Sequence, residues 1–284
     1  MFVATIGFFD GVHIGHRYLI DQVMAVARVR GLQAMVVTMD RHPKCVTNPQ
    51  FVPSLLTTNK EREELLTAEG IDRIEFLHFD EEMMLLTARA FMQEVLKEQL
   101  GIGILVMGYD HKFGHGGGTF EQYMQWGKEC DIEVILADEL HGIHASSTEC
   151  RKLLMQGKIG NAEYMLGHPY CLRGKVVAGH RVGREIGFPT ANIDVEKEKL
   201  IPKDGVYEVL VNSRMRGVLN IGTRPTLDNG NDRTVEVHLI DYSGDLYGQT
   251  LDVKFISRIR DEKKFGSLDE LKAQISEDMA KVLR

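Results

Sequence analysis

The chain has 284 residues, of which 43% are hydrophobic and 26% charged, and its formal net charge is −7. This amount of apolar material supports a sizeable core, and the length is one at which cores divide into two domains. The acidic balance argues against nucleic acid as the main partner, because a phosphate backbone is held chiefly by clustered lysine and arginine. A phosphate ligand should therefore be small and bound locally.

The cysteines are few, widely spaced and without CxxC spacing. They cannot form a disulfide scaffold, so we expect reduced thiols and a cytoplasmic protein. The apolar residues 1–9 lack a basic leader and are followed at once by Asp10, which predicts a buried strand rather than a signal peptide or a membrane span. A membrane is therefore not an expected partner. The cysteines are Cys45, Cys130, Cys150 and Cys171.

Residues 2–137 alternate short β-rich runs with helical patterns. Between the first two runs, apolar residues recur at helical spacing, namely Ile20, Val23, Met24 and Ala27. Regular alternation implies right-handed crossovers and a doubly wound parallel sheet, the Rossmann-like class of α/β fold. Strands are predicted at 2–8, 33–39, 73–79, 103–108 and 132–137, with helices at 60–68, 88–100 and 120–129.

After residue 167 the β-rich runs are separated by Gly, Pro, Asn and Asp, which predicts an antiparallel barrel or sandwich. A helix should close the chain at 267–283. The turn-rich stretch 157–168 places the domain boundary, so we predict domains at 1–166 and 167–284, with no prediction of oligomeric state. The closing helix carries Leu268, Leu271, Ile275 and Met279 on one face.

The first chemical motif is GFFDGVHIGH at 7–16, which follows a predicted strand and opens a helix. This position places His13, Gly15 and His16 at the carboxyl end of a strand, where open α/β sheets bind ligands. Backbone amides at the helix start can meet phosphate oxygens, and the histidines could donate hydrogen bonds as charge builds up. A strand-to-helix turn with two satisfied histidines is the alternative that this motif leaves open.

Further histidines in the same half raise a zinc site as a second alternative. Structural zinc usually takes a closed set of ligands that includes cysteine, and catalytic zinc helices favour HExxH. Neither pattern occurs in the sequence, so we give zinc less weight. The histidines are His42, His111, His115, His141 and His144.

The second motif, SSTECR at 146–151, follows the last predicted strand of this half and leads into a helix. Ser147 and Thr148 at the helix start would either cap the helix or bind an anion. Arg151 would add a charge-assisted contact to phosphate. Taken alone, the motif favours capping.

Together, the HxGH and STxxR motifs resemble the nucleotidyltransferase superfamily, in which both grip the phosphates of ATP. With VVTMDRHP at 36–43 and GYDHKFG at 108–114, they resemble the FMN adenylyltransferase half of bifunctional riboflavin kinase/FAD synthetases. The sequence departs from this pattern at Met39, Arg41, Ala145 and Cys150, which concerns local packing.

This resemblance implies roles for individual residues. Catalytic contacts fall on His13, His16 and Arg151, and a flavin contact near the FMN phosphate falls on Asp110. By pattern alone, Asp110 is an ordinary turn or cap residue. The implied ATP contacts of this half are Gly7, Asp10, Gly15, Ser147 and Thr148.

The third motif is GHRVGREIGFPTAN at 179–192. Its glycines let backbone amides approach a polyphosphate, while the Thr190 hydroxyl and the Asn192 carbonyl are hard oxygen donors that suit magnesium. A glycine-rich barrel turn is the alternative, but the PTAN tetrad closely resembles the riboflavin kinase signature. Later motifs fit the same family in the same order, at 203–209, 220–226, 234–248 and 260–271.

The kinase resemblance implies a six-stranded antiparallel barrel. It implies that Thr190 and Asn192 bind Mg²⁺ and the ATP phosphates. It also implies that Glu236 is the base that accepts the proton of the riboflavin 5′-hydroxyl, and that Arg260 and Phe265 contact the flavin. By pattern alone, Glu236 alternates with apolar residues and belongs on the solvent face of a strand, and Arg260 could equally be solvated. The implied ATP contacts of this loop are Gly179, Gly183 and Gly187.

The resemblance covers nearly the whole chain and implies an enzyme that uses ATP twice. The second domain would phosphorylate riboflavin with MgATP to FMN, and the first would adenylylate FMN to FAD with release of pyrophosphate. Two alternatives stay open: a riboflavin kinase whose first domain is impaired or uses another phosphorylated acceptor, and a non-catalytic flavin or nucleotide sensor.

Overall fold

The computed structural model describes two compact units, which consist of residues 1–147 and 148–284. All four cysteines are free thiols. Within the described ranges, no helix is both long enough and apolar enough to span a membrane. The described residues are 1–48, 50–108, 111–142, 145–179, 187–225 and 231–283.

The first unit is built on a parallel sheet, as predicted. Its strands are β1 (Phe2–Ile6), β2 (Gln33–Met39), β3 (Arg73–Leu77), β4 (Ile102–Met107) and β5 (Glu133–Leu136). They lie in the order β3-β2-β1-β4-β5, and each neighbouring pair is parallel. The order reverses between β1 and β4, so the carboxyl end of β1 lies at the switch point where such sheets bind ligands.

Helices cover both faces of this sheet, because the strands are apolar on both sides. Ile20, Val23 and Ala27 of the first helix pack in one buried cluster, and a second cluster fills the other face around Met35 and Leu105. The helices are α1 (Ile14–Arg30), α2 (Lys44–Thr47), α3 (Asn59–Ala68), α4 (Glu81–Leu85), α5 (Ala88–Ala90) and α6 (Phe120–Glu129).

One predicted helix differs in type. The segment predicted as helix at 88–100 is α-helical only over α5 and continues as a π-helix at Phe91–Gln99. Phe91, Met92, Val95 and Leu96 of this segment share one buried face. Sequence periodicity finds such a segment but does not distinguish the two helix types, because both bury residues three to five apart.

The second unit contains the predicted six-stranded barrel. Its strands close in the order β10-β7-β6-β11-β8-β9, and every neighbouring pair is antiparallel. They are β6 (Cys171–Val177), β7 (Ala191–Val195), β8 (Gly205–Val211), β9 (Met215–Pro225), β10 (Asn231–Leu239) and β11 (Thr250–Arg260).

Three further helices are α7 (Ser147–Met155), α8 (Ile159–Leu166) and α9 (Leu268–Val282). Val282 at the end of α9 packs with Val206 and Val218 of the barrel wall. Of the four residues predicted to share one face of this helix, Leu271, Ile275 and Met279 are partly buried, whereas Leu268 is 56% exposed. Leu268 stands in the first turn, before the helix meets the barrel.

Gly174 in β6 tests the packing of the barrel. A Cβ atom there would lie 2.2 Å from the Asp194 carbonyl oxygen, whereas one at Gly160 in α8 would meet nothing within 4 Å. We expect Gly174→Ala to lower the free energy of unfolding by about 1–3 kcal/mol. The matched Gly160→Ala should be neutral or stabilising by up to about 1 kcal/mol. Urea titration of both variants measures this, and equal stabilities would contradict it.

Candidate active sites

The turn between β1 and α1 has a strained backbone. Phe9 and Val12 have positive φ angles of 51° and 39°, in a region that side chains other than glycine rarely adopt. Both side chains are buried, at 2% and 1% exposure, so packing holds the strained turn in place. Strain of this kind is found most often where a protein must present backbone and side chains to a ligand.

The Asp10 carboxylate fixes the same turn to a distant loop. Asp10 is 2% exposed, and its two oxygens accept hydrogen bonds from the backbone N–H groups of Leu56 at 3.0 Å and Thr57 at 2.9 Å. The Thr57 hydroxyl accepts in turn from the N–H of Gly11 at 3.0 Å. These bonds give Asp10 a positioning role, while its predicted contact with ATP stays a prediction.

The two histidines of the motif lie face to face on the first turn of α1. His13 caps the helix, since its Nδ1 accepts from the backbone N–H of His16 at 3.3 Å. The two imidazole rings stack with their centroids 3.6 Å apart. Because Nδ1 of His13 is an acceptor, the proton of its neutral ring is on Nε2, which is therefore a donor.

His16 is held in its neutral form. Burial lowers its pKa well below the ordinary value, and electrostatic interactions with His13, Arg62 and His111 act in the same direction. Its Nδ1 atom is buried and has no hydrogen-bond partner among the described residues. A neutral ring at this point can donate one hydrogen bond to a ligand without changing its charge.

Ser147, Gly15 and Gly7 pack around the same turn. The Ser147 hydroxyl donates to the Asp10 carbonyl oxygen at 2.9 Å, which joins the two motifs. A Cβ atom added at Gly15 would lie 3.2 Å from the His13 ring, and one added at Gly7 would lie 2.9 Å from the Phe9 ring. Close packing alone thus accounts for both glycines.

Four further candidate residues lie in the second unit or outside the described part of the chain. Thr148 and Arg151 lie on α7 in the second unit, so their predicted phosphate contacts stay predictions. Asp110 lies outside the described residues, as does His144. Among the residues that the structure describes, no three His, Cys, Asp or Glu side chains are grouped so that they could hold a metal ion.

In the barrel, strand pairing brings the kinase motif and the predicted base together. Glu236 of β10 lies opposite Asn192 of β7, and Val237 lies opposite Ala191. Thr190 precedes β7, and its hydroxyl donates to Glu236 Oε2 at 3.3 Å. The residues predicted as metal ligands and the residue predicted as base are therefore neighbours.

A cavity of about 280 Å³ lies against the outer barrel wall at Glu236. Strand alternation does place Glu236 outside the barrel, with Val235 and Val237 buried inside. This outer face is nevertheless not open solvent, because α9 forms the opposite wall of the cavity through Leu271 and Ile275. The cavity combines a polar edge with an apolar wall, as binding sites for aromatic ligands usually do.

The two predicted flavin residues of this half both line that cavity. The Arg260 guanidinium lies 5.8 Å from the centre of the Phe265 ring. It also pairs at 2.8 Å with Asp278 of α9, whose side chain is 1% exposed. Arg260 is thus a structural link between barrel and helix, and its contact with a flavin stays a prediction.

Thr190 also lines a second cavity, of about 570 Å³, together with Gly179 and Asn192. Gly179 approaches Asn192 so closely that a Cβ atom would lie 2.2 Å from its amide nitrogen, which explains the glycine. Gly187 has a φ angle of 87°, which also favours glycine. Gly183 lies outside the described residues.

Comparison with known proteins identifies the family of each half of the chain. The family model described as FAD synthetase matches residues 1–149, and the model described as riboflavin kinase matches residues 166–284. A bifunctional riboflavin kinase/FMN adenylyltransferase of Escherichia coli strain K12 is 38% identical over 283 residues, which cover 97% of this chain and 90% of the relative. The chain belongs to this bifunctional family. The predicted family, enzyme class and function are therefore confirmed.

Two further relatives extend this comparison. The enzyme of the same name from Pseudomonas fluorescens is 35% identical, with 98% of this chain and 91% of the relative covered. A crystal structure described as a macrolide-efflux protein from Streptococcus pneumoniae is 33% identical and has a TM-score of 0.88, with 98% of this chain and 93% of that chain covered. The likeness to the solved structure concerns the fold.

Sequence analysis missed Arg62, which supports the turn of the predicted adenylyltransferase site. This fully buried arginine of α3 donates to the carbonyl oxygens of Phe8 at 2.7 Å and Met39 at 2.6 Å. It thereby bridges the carboxyl ends of β1 and β2. Burial lowers its pKa to about 10, against the opposing charges of Asp10 and Asp40. Its segment, NKEREELL, looks like a solvated helix face and gives no signal.

The Asp10 network predicts a selective effect on the adenylyltransferase. Asp10→Asn would turn an amide N–H toward backbone N–H groups, which should lower the free energy of unfolding by about 1–3 kcal/mol. FAD formation from FMN should fall, while FMN formation should not. Asp21→Asn, at an exposed site on α1, is the matched control. Equal behaviour of the two variants in thermal unfolding would show that the network does not stabilise the turn.

The lowered pKa of His16 predicts how stability depends on pH. As pH falls through about 6.5, the unfolded chain takes up a proton at His16 that the folded chain does not, so acidification favours unfolding. Below that pH the loss approaches about 1.4 kcal/mol per pH unit. His16→Gln should lose less stability between pH 7.5 and pH 5.5, measured by urea titration. The same loss in both proteins would contradict a buried neutral His16.

Proposed function

We propose that residues 167–284 transfer the γ-phosphoryl group of ATP to riboflavin, and that residues 1–166 transfer an AMP unit from a second ATP to the FMN produced. The observation that carries the proposal is the position of Thr190. It lines both cavities of the barrel, and its hydroxyl lies 3.3 Å from Glu236. A phosphoryl donor in the larger cavity and an acceptor in the smaller one would meet there.

In the kinase reaction, the riboflavin 5′-hydroxyl oxygen attacks the γ-phosphorus and ADP leaves. Glu236 accepts the hydroxyl proton, which makes the oxygen a better nucleophile as the bond forms. The hydroxyl of Thr190 and the amide oxygen of Asn192 are the donors that would hold Mg²⁺, which neutralises phosphate charge when bound. Gly179, Gly183 and Gly187 would let the loop approach the ATP phosphates.

The flavin fits the smaller cavity by its chemistry. An isoalloxazine ring system is large, flat and mostly apolar, and the wall formed by α9 and the barrel offers apolar side chains such as Leu271 and Ile275. The polar edge at Glu236 suits the hydroxyl chain. We propose that Phe265 and Arg260 contact the flavin, with Arg260 oriented by Asp278.

In the adenylyltransferase reaction, an oxygen of the FMN phosphate attacks the α-phosphorus of ATP and pyrophosphate leaves. His13 and His16 donate hydrogen bonds as negative charge builds up on the phosphorus oxygens. The backbone N–H groups at the start of α1 add to this, since a helix start favours an anion.

We propose that the remaining predicted residues complete this second site. Arg151 would act with the histidines on the transferring group, and Asp110 would lie by the FMN phosphate. The ATP contacts proposed are Gly7, Asp10, Gly15, Ser147 and Thr148. Four free thiols suit a reducing compartment, and on that ground we place the enzyme in the cytoplasm.

Two variants in a single assay test the proposal. Purified protein is incubated with MgATP and either riboflavin or FMN, with no other enzyme, and riboflavin, FMN and FAD are separated by chromatography. Glu236→Gln should slow FMN formation by about 10²–10⁴-fold while FAD formation from added FMN continues. His16→Ala should have the reverse effect, so each variant is the control for the other.

The outcomes separate the candidate functions. FMN that accumulates without FAD in the unaltered protein would reduce the proposal to a riboflavin kinase. Unchanged riboflavin would favour a sensor. Equal loss of both activities in either variant would show that the reactions are assigned to the wrong domains.

A further inference from the structure

The PTAN segment is held to β10 beyond the point where strand pairing stops. The ladder between β7 and β10 reaches Val237 opposite Ala191. Two residues earlier, Pro189 has no N–H and cannot donate to a further ladder bond. Its carbonyl oxygen instead lies 2.8 Å from Nδ1 of His238. Because a carbonyl only accepts, the histidine donates, and a side chain continues the attachment.

The same imidazole packs against the residue before the proline. Its ring meets the Phe188 ring edge to face, with centroids 5.6 Å apart and an angle of 80°. Val237 and Leu239, which flank His238 along β10, are buried. Because side chains alternate along a strand, His238 points outward from the barrel, as Glu236 does. Both outward residues line the smaller cavity. One face of β10 therefore carries the proposed base and the contact to the PTAN segment.

We propose that His238 is a positioning residue for the kinase reaction. Its bond to Pro189 fixes Thr190 on one side, and the ladder pair at Ala191 fixes it on the other. The Thr190 hydroxyl is thereby kept beside Glu236. This inference rests on the proposed kinase function, because His238 acts through Thr190 and not on the reacting atoms.

Two substitutions separate the hydrogen bond from the ring. His238→Phe keeps an aromatic ring against Phe188 but has no donor for Pro189. His238→Asn keeps a donor nitrogen at the same number of bonds from the backbone but loses the ring. Thr234→Ala, on the same outward face of β10, is the matched control.

The measurements are kcat and KM for FMN formation, riboflavin binding by fluorescence titration, and FAD formation from FMN. His238→Phe should lower kcat on the order of 10–100-fold, the effect of a misplaced reacting group. Riboflavin binding and FAD formation should stay within about threefold of the unaltered protein. His238→Asn should recover most of kcat, and Thr234→Ala should not change it.

Several results would overturn this role. An unaltered kcat in His238→Phe would mean that the bond does not position Thr190. Equal loss of kcat in the Phe and Asn variants would assign the effect to the ring. Loss of riboflavin binding in parallel with kcat in both variants would make the residue merely structural. Absence of FMN formation by the unaltered protein would instead overturn the proposed function, and the inference with it.

Discussion

The kinase half of this chain depends on the short ladder between β7 and β10. Its two residue pairs, Glu236 opposite Asn192 and Val237 opposite Ala191, close the barrel. The same pairs set the distance between the PTAN segment and Glu236. A slip of one residue would turn Glu236 into the barrel interior and a valine outward. Closure of the barrel and assembly of the site are therefore one event, and the apolar alternation of β10 enforces both.

In the adenylyltransferase half, buried polar groups rather than strand pairs hold the predicted site residues in position. The turn that carries its predicted site follows β1 at the switch point of the sheet, but β1 itself ends at Ile6 and does not reach His13. Hydrogen bonds of Asp10 and Arg62 hold the turn instead. Asp10 accepts from backbone N–H groups of the 55–58 loop, and Arg62 donates to carbonyl oxygens at the ends of two strands. Each would be costly to bury without these partners.

Local sequence was enough to predict the fold because periodicity reports burial directly. The alternation of strand and helix in the first half gave the parallel sheet, and the β-rich runs of the second half, with the family resemblance, gave the barrel. Alternation also placed Glu236 correctly on the outer face of β10. What it could not report is that α9, some thirty residues later, covers that face, and so changes a surface carboxylate into the edge of a cavity.

Long-range polar contacts were beyond prediction for a similar reason. Asp10 bonds to residues 46 and 47 positions away, and Arg62 to one 54 positions away. Neither contact produces a periodic pattern in the sequence. The helix α3 is rich in charged residues, so its composition does not distinguish the buried Arg62 from a solvent-exposed arginine. The motif did identify Asp10, but as an ATP contact. The structure adds that its carboxylate is committed to the loop.

The placement of charge differs between the two sites in a way that suits their reactions. In the adenylyltransferase, the positive charge of Arg62 is permanent and buried beneath the turn, and it helps to keep His16 neutral. A neutral imidazole retains its hydrogen-bond donor while the net charge of the site is carried elsewhere. In the kinase, the proposed base Glu236 stands on an outer wall and lines a cavity that a substrate hydroxyl could enter. On the proposed roles, the site that stabilises added charge rests on buried ions, whereas the site that exchanges a proton places its base on a strand face that the substrate can reach.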